Sequence, residues 1–88
     1  MSELESNIEA LIFCSPKPIK IDDIQKIFFE YDKKKYGFKS IQFAIQNLIN
    51  KYQHNNYAIE IIESGGGFQF FTKNKFSKLN EILLKQQS

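Results

Sequence analysis

Apolar and polar positions follow two rhythms along this chain. From Tyr57 to Thr72, YAIEIIESGGGFQFFT, two runs of β-branched and aromatic residues flank Ser64-Gly65-Gly66-Gly67. That pattern predicts a β-hairpin. Ile59, Ile61, Phe68 and Phe70 fall on one of its faces and Ile62 and Phe71 on the other, because side chains alternate along a strand. A lone hairpin is marginal in water and needs a cover for its apolar face. Elsewhere the apolar residues recur at helical spacing, so helices must supply that cover.

The first helix is predicted from Glu3 to Cys14, with Leu4, Ile8, Leu11 and Ile12 as its buried stripe and Phe13 pointing away. Ser2 and Glu5 have capping-box spacing. Ser15-Pro16-Lys17-Pro18 breaks the helix, since a proline disfavours helical backbone in the residue before it. A second helix, Ile21 to Tyr31, places Ile21, Ile24, Ile27, Phe28 and Tyr31 on one face and Phe29 nearly opposite. Asp22 and Asp23 suit its first turn, where the helix dipole favours negative charge. Asp32 to Lys39 reads as a loop hinged at Gly37. Ser40 is the expected cap of a third helix, whose stripe runs through Ile41, Ala44, Ile45, Leu48, Ile49 and Tyr52. Phe43 lies opposite that stripe, beside Gln42, Gln46, Asn47, Asn50 and Lys51. After a turn at Gln53–Asn56 and the hairpin, a last helix is expected over Lys75–Lys85. It would be capped by Asn74 and would bury Phe76, Leu79, Ile82 and Leu83.

Three core helices, a two-stranded β-hairpin wing and a C-terminal helix make an α+β fold, the winged helix. One domain is expected over residues 1–85, with 86–88 beginning a linker to a second domain. At 88 residues the core is modest, yet the chain holds nine Phe and four Tyr. Such a core has no room for every ring, so some belong at the surface.

Charge and chemistry narrow the function. The net charge is +2, and the chain has no Arg. This is a weak positive balance that lacks the commonest guanine-reading side chain. The single Cys14 permits no internal disulfide and reads as a small buried side chain. His54 has no Cys, Asp or Glu near it in sequence and reads as a solvated turn residue. The hairpin glycines are followed by a strand and not by Lys-Ser/Thr and a helix, so they make no phosphate cradle. No Ser/His/Asp, Cys/His or paired-carboxylate arrangement sits at workable spacing, so an enzyme is not expected. No apolar run approaches membrane-spanning length, and the cytoplasm is the expected compartment.

Several stretches resemble the N-terminal winged-helix domain of the ScpB family, segregation and condensation protein B. They are Ile8-Glu9-Ala10-Leu11-Ile12-Phe13, Cys14-Ser15 with Pro18-Ile19, the strand Ile59 to Glu63, the turn Gly66-Gly67-Phe68, and Thr72-Lys73. The chain departs from the family at Lys20, where Ser or Thr is usual, and in the longer, more basic loop from Asp32 to Lys39. The resemblance implies a non-enzymatic, homodimeric subunit of the bacterial SMC condensin-like complex with no cofactor of its own, since the cofactor and the ATPase belong to SMC. Such a subunit binds the kleisin ScpA and, through it, SMC, and acts in chromosome condensation and segregation. Nucleoid association follows from the same likeness, while the weak positive balance without Arg leaves DNA contact that is at most weak or indirect.

The residues themselves support a protein-interaction module through the rings left off the stripes: Phe43 first, then Phe29, Phe71 and Phe13. Burying one Phe is worth about 1.5–3 kcal/mol. A self-complementary patch of such rings would drive a dimer, and Phe43→Asp would weaken it. The alternative is a winged-helix DNA-binding transcriptional regulator. It would read bases with Gln42, Gln46, Asn47 and Asn50 and hold phosphates with Lys33, Lys34, Lys35, Lys51 and Lys73. The long predicted loop argues against it, because a helix-turn-helix joins its helices by ~3–4 residues.

Overall fold

The computed structural model describes all of residues 1–88. In chain order the elements are α1 Glu3–Cys14, β1 Ile19–Lys20, α2 Ile21–Asp32, α3 Phe38–Tyr52, β2 Ile59–Ser64, β3 Gly67–Thr72, a 3₁₀ turn Asn74–Phe76, and α4 Ser77–Gln87. The predicted α+β winged helix is present, with one strand more than the sequence suggests. β1 pairs antiparallel with β3, giving a three-stranded sheet of order β1-β3-β2. The wing is therefore a hairpin tied to the segment before α2 through Ile19 opposite Phe68 and Lys20 opposite Gly67.

The core follows the stripes. Ile8 and Ile12 of α1, Ile24 and Phe28 of α2, and Ile41, Ala44, Ile45 and Leu48 of α3 are buried together with Ile61 and Phe68 of the sheet. The hairpin register pairs Ile61 with Phe70 and Glu63 with Phe68, so the apolar face of the sheet lies on the helices. The reversal uses only Gly65 and Gly66, at φ of 57° and 81°. Both central residues with positive φ fit the tight turn that matches strand twist. At the start of α1, Ser2 and Glu5 form the expected capping box.

Five expectations need correction. First, α3 begins at Phe38 with Gly37 as its N-cap, not at Ser40. The chain is fixed just upstream, where Tyr36 packs edge-on to Phe28 and the Gln25 amide donates to the Tyr36 carbonyl. The helix can therefore start at once, and the connection shortens to Lys33–Gly37. Second, Ile27 and Tyr31 are exposed, because the buried arc of α2 narrows to Ile21, Ile24 and Phe28. Third, Cys14 is exposed, being the last residue of α1 and well round the helix from Ile12. Fourth, Asn74 opens a 3₁₀ turn and does not cap α4, and α4 itself runs on to Gln87, beyond the expected Lys85. Fifth, α4 buries nothing: Leu79, Ile82 and Leu83 are 67%, 52% and 49% exposed, and Phe76 is half-buried.

That helix also sets the shape. The Cα radius of gyration is 14.6 Å and the longest axis 45 Å, against about 12 Å for a compact chain of this length. α4 is an arm standing off a compact body.

Candidate protein-interaction surface

Each of the four rings set apart in the sequence reaches the surface, and each belongs to a different element. Phe43 projects from the middle of α3 and is 68% exposed, with no aromatic partner. It lies between the buried positions Ile41 and Ala44, but helical geometry turns it away from their stripe. Phe71 lies on the outer face of the sheet opposite Glu60, and is half-exposed. Phe29 closes the outer side of α2, with the ammonium groups of Lys33 and Lys35 at 5.4 and 5.5 Å from its ring centre. No two of these four rings pack against each other.

Phe13 is different, because a groove adjoins it. It is 72% exposed at the end of α1, yet its ring meets Phe70 edge-on at 6.1 Å. Phe70 packs in turn on Tyr52 at 5.1 Å, and Tyr52 on Tyr57 at 4.8 Å. Phe13, Phe70 and Tyr52 of this aromatic chain wall a groove of about 320 Å³ between α1 and the sheet, with Ala10 and Ile59 completing its apolar lining. Glu9 stands at its edge. The Glu9 carboxylate accepts from the Tyr52 hydroxyl and from Lys51 Nζ at 3.4 Å. Burial, then the hydrogen bond to Glu9 and the charge on Glu9, push the Tyr52 phenol up to about 12. These contacts fix the far end of α3 to α1 and give the groove a rigid wall.

The polar face of α3 is largely engaged inside the chain. Asn47 Nδ2 donates to Glu5 at 2.8 Å, and Gln46 Nε2 donates to Asn50 Oδ1 at 3.0 Å. Of the candidate phosphate contacts, Lys51 is held by Glu9, Lys33 and Lys35 lie over Phe29, and Lys73 donates to the His54 carbonyl at 2.6 Å. Lys34 alone keeps its ammonium out of these contacts. Readers and anchors for a duplex are therefore mostly committed elsewhere. The shortened α2–α3 connection does remove the loop-length objection to DNA binding. No group of three or more His, Cys, Asp or Glu side chains is placed to hold a metal ion, and no helix is long and apolar enough to cross a membrane.

Two features escaped sequence reasoning. Phe38, assigned to a loop, sits in the first turn of α3, half-exposed, and borders a cleft with Gln42, Ile45 and Phe68. Its signal is visible only once α3 is known to start there. The bare stripe of α4 is the second, since its periodicity is plain but says nothing about what covers it.

Comparison with known proteins places this geometry in context. A family model described as segregation and condensation complex subunit ScpB matches residues 6–88. The segregation and condensation protein B of Clostridium perfringens is 35% identical over 85 residues, which are 96% of this chain and 40% of that protein. The chain thus spans about two fifths of the length of the curated relatives it matches. Among solved structures, a conserved hypothetical protein from Chlorobium tepidum aligns with a TM-score of 0.74 and 28% identity, covering 93% of this chain and 48% of that one. The dimer of an ScpB N-terminal domain complexed with ScpA peptide aligns with a TM-score of 0.79 over 94% of this chain and 93% of that one. At 18% identity, that second likeness is one of fold.

Proposed function

The chain belongs to the segregation and condensation complex subunit ScpB family, and on that premise we propose that it is a dimerising, non-enzymatic subunit of an SMC condensin-like complex. In this reading it binds the kleisin ScpA and reaches SMC through it, acting in chromosome condensation and segregation. Its working compartment is the cytoplasm, in association with the nucleoid, and its contact with DNA is weak or indirect. The observation that carries the reading is the family match across residues 6–88, nearly the whole fold. The solved ScpB N-terminal domain of the same fold, a dimer holding an ScpA peptide, lends it support.

The candidate contacts are Phe43, Phe29, Phe71 and Phe13. Each holds an apolar ring in water at some cost, which a protein partner relieves. Lys33, Lys34, Lys35 and Lys51 are assigned at most a peripheral electrostatic role, because most of them already have partners within the chain. The test is a calorimetric titration of the chain with the ScpA protein of the same genome. Saturable binding, weakened by Phe43→Asp, is expected. Absence of any heat or complex with that kleisin would overturn the reading.

A further inference from the structure

The end of α2 gathers positive charge around an exposed ring. Residues 26–35 hold four Lys against Glu30 and Asp32, a surplus equal to the net charge of the whole chain. Lys26 stands one turn before Phe29 on the same side of the helix. Lys33 follows at the C-cap, in the left-handed conformation at φ 63°. The chain turns back there, and the ammonium groups of Lys33 and Lys35 stand over the Phe29 ring. With Gln25 and Glu30 these residues line a shallow depression.

The surface is built and its charge is unspent. No carboxylate pairs with any of the four ammonium groups, and the one ion pair of the chain joins Lys51 to Glu9. A cation–π contact at the surface orients an ammonium group without neutralising it. Lys33 also occupies a backbone conformation for which Gly is the usual residue. A side chain kept there against the preference of the backbone points to a use for that side chain. The turn is held at both ends before any ligand arrives. Lys33 N–H donates to the Phe29 carbonyl at 2.9 Å, Lys34 N–H to Asp32 Oδ1 at 3.1 Å, and the Gln25 amide to the Tyr36 carbonyl at 2.9 Å. Such preorganisation lowers the entropic cost of binding.

The matching ligand offers an apolar group with negative charge on either side of it. On an extended peptide, alternate residues share a face about 7 Å apart. An apolar side chain set between two acids at that spacing meets the ring, and each acid meets an ammonium group within 5.5 Å of the ring centre. Duplex phosphates offer nothing apolar to Phe29, and a base stacking on the ring competes with the lysines already over it. We propose that the depression around Phe29 is a docking site for an extended acidic segment of another protein. An apolar side chain of that segment lies on Phe29, its carboxylates meet Lys33 and Lys35, and Lys26 and Lys34 add to the attraction. The inference goes beyond the kleisin reading and is tested without ScpA, so each can fail alone.

The test is a titration of the isotope-labelled chain, followed through its amide NMR signals, with the synthetic peptide Asp-Ser-Glu-Ser-Leu-Ser-Glu-Ser-Asp. Saturable shifts confined to the end of α2 and residues 33–37 are expected. Lys33→Gly combined with Lys35→Gln should weaken binding roughly five- to tenfold. Gly suits the backbone at position 33, and circular dichroism confirms that the fold is kept, so this loss reports the ammonium groups and not the structure. A peptide with Gly in place of its Leu should bind several-fold more weakly. Absence of saturable shifts would overturn the site. Shifts spread equally over Lys51, Lys73 and Lys75, or an undiminished affinity for the Gly peptide, would reduce it to unspecific charge attraction and overturn it as well. An oligothymidylate strand that binds here more tightly than the peptide would assign the surface to nucleic acid instead. Concentration-dependent shifts of the same signals without peptide would assign it to a second copy of the chain.

Discussion

Gly67 is where β3 meets β1, and replacing it with Ala measures what that third strand contributes. A methyl group built there lies 2.8 Å from Pro18 Cβ, 3.0 Å from the Pro18 carbonyl carbon and 3.2 Å from the Ile19 nitrogen. Two of those three atoms are backbone, and the segment is anchored by buried Ile19 within the strand and buried Ile21 directly after it. No side-chain rotation relieves the contact, so the strand pair must separate by several tenths of an ångström. Such overpacking costs about 1–3 kcal/mol. Gly67 does not use a positive φ, so Ala also gains about 0.4–1 kcal/mol by restricting the unfolded chain. The net expectation is a loss of about 1–2 kcal/mol, seen as a fall in Tm of roughly 5–15 °C for a domain of this size. Urea and thermal denaturation followed by circular dichroism read it directly. Gly37→Ala is the comparison: its methyl meets no atom within 4 Å, and the poorer helix cap that Ala makes at this N-cap is offset by the restricted unfolded chain, so its stability should stay within about 1 kcal/mol of the parent. If Gly67→Ala melts with the parent chain, the strand pairing does not hold the wing as described.

Three further outcomes follow from the same geometry. The Tyr52 phenol, raised to about 12 against an ordinary 10.0, contributes stability that is complete below pH 10 and declines as pH rises through about 12. Denaturation across that window should show a loss on the order of 1–2 kcal/mol that Tyr52→Phe abolishes, and an unchanged slope in the variant would refute the assignment. Phe43→Asp should leave the melting curve within about 0.5 kcal/mol of the parent while lowering kleisin affinity or self-association at least tenfold. If both associations survive intact, Phe43 is not a contact. Duplex binding titrated against salt should be weak and show a shallow slope, since few lysines are free to displace counterions. A steep, sequence-dependent response would favour a DNA-reading role instead.

The sequence disclosed those parts whose signal is local. The stripe of α3 from Ile41 to Tyr52 and a glycine reversal within Ser64–Gly67 could be read directly, because helical period and glycine-rich turns are local signals, although the turn itself narrows to Gly65-Gly66. β1 could not, since two residues carry no period and Ile19–Lys20 becomes a strand only when Gly67 lets β3 approach. The start of α3 was hidden because Tyr36 is fixed by Phe28 and Gln25, contacts across the fold that no capping rule anticipates. The largest misreading is the most informative for function. α4 has the pattern of a buried helix, and the period of its apolar residues is real, but nothing within residues 1–88 covers it. Exposure of Phe13, Phe29, Phe43 and Phe71 was legible as displacement from a stripe. Whether those rings pack on one another was not, and they do not. Only Phe13 adjoins a groove, because Phe70 approaches it from a strand remote in sequence.

The most direct measurement of the account is the molar mass of the unmodified chain by multi-angle light scattering, from low to high micromolar concentration. A dimer, with a monomer emerging on dilution, is the predicted result. A mass that stays at one chain throughout would contradict the claim that its bare rings and arm are built to meet another polypeptide.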